Sequence, residues 1–190
     1  MSDFGDRFDD AMVFAASIHR GQVRKGTKVP YISHLLAVAA LVIENGGNED
    51  QAIAALLHDA VEDQGGLDME ATIRARYGDH VADIVMDCTD ATQIPKPPWR
   101  GRKEAYIAAL PEKSEESLLV SLCDKLHNAR SITDDIDRVG PDLWTSFKGG
   151  RDGTLWYYRS VADFYLRRTP GFLADRLNDT VLEMEAKAGA

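Results

Sequence analysis

Between Asn48 and Gln64 the chain reads "NEDQAIAALLHDAVEDQ", an apolar run into which His58, Asp59, Glu62 and Asp63 are set. No other feature constrains the fold as much. Alanine and leucine at helical spacing ask to be buried on the face of a bundle. Four ionisable groups on the same segment are unfavourable there unless something pairs with them. Asn48 suits an N-cap, Glu49 and Asp50 suit the positive end of a helix dipole, and Gly65 and Gly66 stop the helix. The expectation is one helix through the whole stretch, with His58 stacked on Glu62 and Asp59 on Asp63, because residues four apart share a face.

The rest of the chain follows the same period. "FDDAMVFAASIH" reads as a helix halted by Gly21, and "ISHLLAVAALVIENGG" as a second, capped by Ser33 or begun near Pro30. "LDMEATIRARYG" and "DHVADIVMDCTD" form two short amphipathic helices joined at Gly78. A proline-rich loop from Ile94 to Gly101 follows, then "RKEAYIAAL". The longest pattern is "SEESLLVSLCDKLHNARSITDDI", started by Ser114. "PDLWTSF" is short, and "TLWYYRSVADFYLRR" and "PGFLADRLNDTVLEMEAKA" close the chain. No segment alternates with period two, so the class is all-α, with roughly eight to ten helices. A chain of 190 residues, 44% hydrophobic, fits one domain over residues 1–190, with a motif-bearing core at about 10–140 and C-terminal helices at about 141–188.

Two further anomalies match the first. His34 opens an apolar helix, and Asp124 interrupts the stripe "LLVSLCDKL", with Asn128 four residues on along the same face. Three helices thus each place a histidine or an acid where burial is expected. A shared metal centre explains all three: His34, His58, Asp59 and Asp124 offer two imidazoles and two carboxylates, a set that suits Mn²⁺, Fe²⁺ or Mg²⁺ better than a closed zinc site. Glu62 and Asp63, one turn on, reach a water rather than the ion. His19, His80 and His127 read as ordinary, His19 as a favourable cation at a helix C-terminus. Cys123 reads as a small core residue.

The net charge is −9. That excludes broad nucleic-acid binding, which needs a basic face. Two acid-free windows nonetheless concentrate positive charge: Ala11 to Ile43 with Arg20, Arg24, Lys25 and Lys28, and Ala91 to Lys103 with Lys96, Arg100, Arg102 and Lys103. Compact basic clusters on an acidic molecule suit a small anionic ligand. The longest apolar run, Leu35 to Ile43, is far below the roughly 18 residues of a membrane span, so no membrane partner is expected. The acidic start "MSDFGDRFDD" is unlike a secretory signal. Two cysteines, Cys88 and Cys123, point to a reducing cytoplasm.

These residues resemble a known family. His58-Asp59, preceded by His34 and followed by Asp124, is similar to the HD-domain metal phosphohydrolases. "GQVRKGTKVPYISH", "AALLHDAVEDQ" and "CDKLHNAR" resemble the hydrolase domain of the RelA/SpoT enzymes and their stand-alone small alarmone hydrolases, over Gly21 to Arg130. The resemblance implies a single HD-type helical bundle in which His34, His58, Asp59 and Asp124 hold Mn²⁺. It implies that Glu62 and Asp63 activate water, that Arg24 and Lys25 lie at the nucleotide with the arginine on the base, and that Asn128 contacts the ribose region. Lys96 is added as a clamp for the diphosphate. The implied reaction removes the 3′-diphosphate of guanosine tetra- or pentaphosphate, (p)ppGpp, giving GDP or GTP and pyrophosphate in the bacterial stringent response. The chain departs from the pattern at Leu35, where the family often has proline, at Gln64, where it often has threonine, and in "SLCDKLHNAR" for the more usual "KLADRLHN". These departures leave guanosine and adenosine alarmones both open. The chain ends at Ala190, too short for a synthetase domain as well, so hydrolysis alone is expected. Two alternatives remain: another HD nucleotide phosphohydrolase, and a non-catalytic nucleotide-binding HD domain. The oligomeric state is not readable.

Overall fold

Asn48 starts the helix around which the first half of the molecule is built. Its side chain accepts from the Gln51 amide while the Gln51 side chain accepts from the Asn48 amide, a reciprocal capping box. The computed structural model describes residues 4–93 and 95–189. Ile94, at the head of the proline-rich loop, lies outside the described residues. Ten α-helices and two 3-10 segments follow one another, and among the described residues the only β-pairing is one isolated bridge, Val23 to Pro30. The all-α expectation holds.

The chain forms two compact units: Met1–Pro97 with Lys113–Ser121, and Pro98–Glu112 with Leu122–Ala190. In the first, α1 (Asp6–Ile18), α2 (Ile32–Glu44), α3 (Glu49–Leu57), α4 (Ala60–Gln64), α5 (Gly66–Tyr77) and α6 (Asp79–Cys88) occur in chain order. Every residue of α3 from Gln51 to Leu57 is buried, and α3 packs on α1, α2 and α6. A helix apolar all round belongs at the centre of a bundle. Each fully buried leucine there contributes about 1.5–3 kcal/mol. Gly78, at φ +95°, makes the sharp turn from α5 to α6 that only glycine adopts without strain.

The second unit contains α7 (Trp99–Ala109), the later part of α8 (Glu115–Val139), α9 (Gly150–Arg168) and α10 (Phe172–Lys187). Helix α7 begins three residues earlier than the sequence pattern suggests. Pro98 at the N-cap has no amide to leave unsatisfied and so permits the start. Trp99 fits against Gly149 and Gly153, where a Cβ would stand 2.6 and 3.1 Å from its ring. As expected, Ser114 starts α8, its hydroxyl accepting from the Ser117 amide at 3.0 Å. Ser33 does not cap α2. It lies inside the helix and donates to the Pro30 carbonyl at 2.8 Å.

One difference bears directly on function. The expected continuous helix from Asn48 is broken at His58 and Asp59, giving α3 and α4. Asp59 sits at φ −98°, ψ −2°, off the helical minimum. Neighbouring side chains on a regular helix diverge by about 100°. At the break, His58 Nε2 lies 3.1 Å from Asp59 Oδ2.

Candidate active site

His34, in the first turn of α2, is completely buried, and His58, at the end of α3, is 1% exposed. His58 Nδ1 lies 2.8 Å from the Ala55 carbonyl, which can only accept. Nδ1 therefore carries a proton, which leaves Nε2 as the ring atom that can serve a metal. That nitrogen is 3.1 Å from Asp59 Oδ2, and His34 Nε2 is 3.6 Å from the same oxygen. One ligating atom from each of the three residues lies within 4.8 Å of the others. Donors about 2.1 Å from one ion, at angles near 90–110°, stand roughly 3.0–3.4 Å apart. The His58–Asp59 separation falls in that range and the His34–Asp59 separation lies just outside it, and two imidazoles with a carboxylate are donors that suit a divalent cation of borderline to hard character. Tyr31 donates its hydroxyl to Asp59 Oδ2 at 2.5 Å and fixes that carboxylate from behind.

Helix α4 places the acid pair beside this group. Lys96 Nζ donates to Glu62 Oε1 at 2.8 Å and to Asp63 Oδ1 at 3.1 Å. Burial raises the Glu62 carboxyl above the usual range, the charges of Asp90 and Asp59 add to this, and Lys96 opposes it. Burial also pulls on the Lys96 ammonium, but Glu62 and Asp63 outweigh it and leave its pKa raised. Lys96 stays charged. Asp63 has a second donor, Gln22 Nε2, at 2.9 Å from Oδ2. Asp90 also lines a cavity of about 290 Å³ with Met86, Thr89 and Thr92.

Arg24 and Lys25 lie on the tight turn between Val23 and Pro30, with Gly26 at φ +74°. The Arg24 amide donates to the Val29 carbonyl at 2.8 Å, and its guanidinium stands 5.8 Å from the Tyr31 ring centre. In the second unit, Asp124 is buried on α8, held by Lys125 and by Asn128, each at 2.5 Å. Burial lowers the Lys125 ammonium, but Asp124, Tyr106 and Tyr157 outweigh it and leave it well above its ordinary value. Of the other basic residues, Arg102 is buried, Arg100 lies over Trp156 and pairs with Glu104, and Lys103 lies over Tyr157. Tyr157 is buried.

A profile of the HD domain matches residues 11–155, well over half of the chain. The chain belongs to the HD domain family. Guanosine-3′,5′-bis(diphosphate) 3′-pyrophosphohydrolase MESH1 of Xenopus tropicalis is 40% identical to this HD domain over 139 residues, spanning 72% of this chain and 73% of that one. The Homo sapiens protein of the same name is 35% identical over 142 residues, 73% and 74% of the two chains. A solved structure, described as a metazoan ortholog of SpoT that hydrolyzes ppGpp and plays a role in starvation responses, superposes with a TM-score of 0.80 at 26% identity. It covers 96% of this chain and 98% of its own. These relatives are animal proteins, so the similarity does not tie the chain to bacteria. No helix among the described residues is long and apolar enough to cross a membrane.

Sequence reasoning about this HD domain missed a supporting layer. His19 is not a helix-terminal cation. It is 3% exposed, and burial lowers its pKa, so it is neutral at neutral pH. Its ring stacks on Tyr31, and its Nδ1 lies 2.7 Å from Gln22 Oε1. Tyr31 and Gln22 both stand within the motif "GQVRKGTKVPYISH", but a single uncharged polar residue in a loop breaks no pattern and draws no notice.

Proposed function

We propose that this protein is a metal-dependent pyrophosphohydrolase that removes the 3′-diphosphate of guanosine tetra- or pentaphosphate, or of a closely related alarmone. The products are GDP or GTP and pyrophosphate. The observation behind this reading is the group formed by the buried His34 and His58 with the partly exposed Asp59, and Glu62 and Asp63 one turn on, in a chain that resembles pyrophosphohydrolases of that name. Mn²⁺ is the ion we assign, from the mixed nitrogen and oxygen donors. Asp124 joins the donor set on its sequence motif, and the metal content of Asp124→Asn tests that membership. The buried thiols Cys88 and Cys123 suit a reducing cytoplasm, where we place the enzyme.

A divalent cation held by these residues would supply Lewis acidity and would lower the pKa of a water toward about 7. The protein's own groups do the rest. Glu62, more basic than an ordinary carboxylate, takes the proton from the attacking water. Asp63, with donors on both oxygens, is fixed and orients that water. The water oxygen bonds to the phosphorus attached to the ribose 3′ oxygen. The bond from that phosphorus to the 3′ oxygen breaks, pyrophosphate keeps the new oxygen, and the ribose keeps a 3′-hydroxyl. Lys96 places positive charge where the diphosphate lies. Arg24 offers a flat guanidinium face to the base, which a lysine cannot. Lys25 adds charge beside it, and Asn128 serves the ribose.

The test is to incubate purified protein with Mn²⁺ and a nucleotide panel. The panel comprises guanosine and adenosine 3′-diphosphates, GTP, dGTP and cyclic dinucleotides. Pyrophosphate release from the 3′-diphosphates alone is the expected result, and the ratio between the two bases gives the specificity. Release from the other nucleotides instead means a different HD phosphohydrolase. No release from metal-loaded protein means a binding domain.

A further inference from the structure

The segment Arg20 to Tyr31 sends two side chains into the site. Tyr31 meets Asp59, and Gln22 meets Asp63. The Gln22 backbone is pinned at both ends: its amide donates to the His19 carbonyl at 3.0 Å, and its carbonyl accepts from the Tyr31 amide at 2.9 Å. The side-chain amide has an oxygen end and a nitrogen end, and only the nitrogen end suits a carboxylate. Two neighbours settle which end faces Asp63. Gln64 Nε2 donates to Gln22 Oε1 at 2.5 Å, and His19 Nδ1 is 2.7 Å from the same oxygen.

The hydrogen-bond logic closes in one way. Gln22 Nε2 donates to Asp63, so Oε1 must be the acceptor for His19 and Gln64. His19 Nδ1 therefore carries the imidazole proton, and its contact with Gln64 at 3.3 Å is an incidental approach of two donors to one oxygen. His19 Nε2 is then a bare nitrogen, and it finds no hydrogen-bond partner among the described residues. A bare lone pair is the end of a neutral imidazole that costs less to bury, so the tautomer is consistent with its surroundings.

From this we infer that Gln22 is a positioning residue for Asp63, and that His19 and Gln64 set the direction of its amide. This rests on the pyrophosphohydrolase reading above. Gln64 closes α4, and its side-chain amide reaches Gln22 across 42 residues of chain.

The test uses Gln22→Met, which keeps the shape and removes the donor, and Gln64→Glu. The new carboxylate in Gln64→Glu attracts the nitrogen end of Gln22 and turns the oxygen end toward Asp63. Both variants are expected to bind metal as the parent does and to keep KM within about twofold. They should lose kcat by roughly 10- to 100-fold, the worth of one hydrogen bond to a charged group. Losses of kcat and metal together, or a rise in KM alone, overturn the positioning role. Crystal structures separate this from the functional reading. If the parent hydrolyses none of the nucleotides, the reaction is wrong. The Asp63 rotamer in Gln22→Met still decides the inference: a turned carboxylate supports it, and an unmoved one overturns it.

Discussion

Tyr31→Phe removes one oxygen and tests how Asp59, the carboxylate we assign to the metal, is held. The Tyr31 hydroxyl is 2.5 Å from Asp59 Oδ2, the oxygen that also faces His58 Nε2 at 3.1 Å and His34 Nε2 at 3.6 Å. A carboxylate oxygen has two lone pairs, so one can accept from Tyr31 while the other points to the ion. The hydroxyl then aims Asp59. A hydrogen bond to a charged group is worth about 1.5–3 kcal/mol. At about 1.4 kcal/mol per tenfold, that predicts metal affinity weakened by roughly 10- to 100-fold. Loss of an outer-shell partner elsewhere costs the same range, about 10- to 100-fold. The ring itself stays, so His19 and His34 keep their aromatic neighbour. The assay is Mn²⁺ titration of metal-free protein by calorimetry or chelator competition, with a thermal melt to confirm the fold. Tighter binding in Tyr31→Phe would show that the hydroxyl competes with the ion for Oδ2, and unchanged affinity would show that it does not aim the carboxylate. Either result refutes the argument.

The other expectations are narrower. Glu62→Gln should retain metal and lose roughly 10²-fold or more in kcat; loss of metal in this variant would make Glu62 a ligand. His58→Ala should lose both metal and activity, read by elemental analysis and pyrophosphate release. His80 bridges Asp50 at 3.0 Å and Glu116 at 2.8 Å, and these two acceptors raise its pKa. The bridge is fully present below the unfolded value of about 6.5 and is lost as pH rises through the folded value. Its half-exposed setting limits it to about 0.2–1 kcal/mol. His80→Gln should therefore flatten the change in urea midpoint between mildly acidic and mildly alkaline buffer, and an undiminished change would locate the effect elsewhere. Gly149→Ala drives a Cβ to 2.6 Å from the rigid Trp99 ring and should destabilise by about 1–3 kcal/mol, seen as a lower Tm.

His34, His58 and Asp124 were legible because each breaks an apolar stripe. His34, His58 and Asp124 are 0%, 1% and 5% exposed, as interruptions of a buried face should be. The cap at Asn48 and the start at Ser114 were legible because their partners lie within three residues. What stayed hidden depends on contacts far along the chain. The break at His58–Asp59 is invisible in a run of good helix formers, because tertiary convergence on one point overrides local propensity. Gln22 and Gln64 meet across 42 residues, and neither disturbs a period. The two compact units are likewise a property of long-range contacts, which residue spacing does not encode.

The surroundings of the two adjacent acids differ, and that difference is why we assign the proton to Glu62. Consecutive residues on α4 point about 100° apart, and Glu62 and Asp63 both accept from Lys96. Glu62 turns to the side where Asp59 and Asp90 add negative charge. Asp63 turns to the side where Gln22 adds a donor. One acid is made harder to ionise, and the other is held by donors on both oxygens. Adjacent carboxylates thus acquire different chemistry from their neighbours alone, the division that acid–base sites generally require.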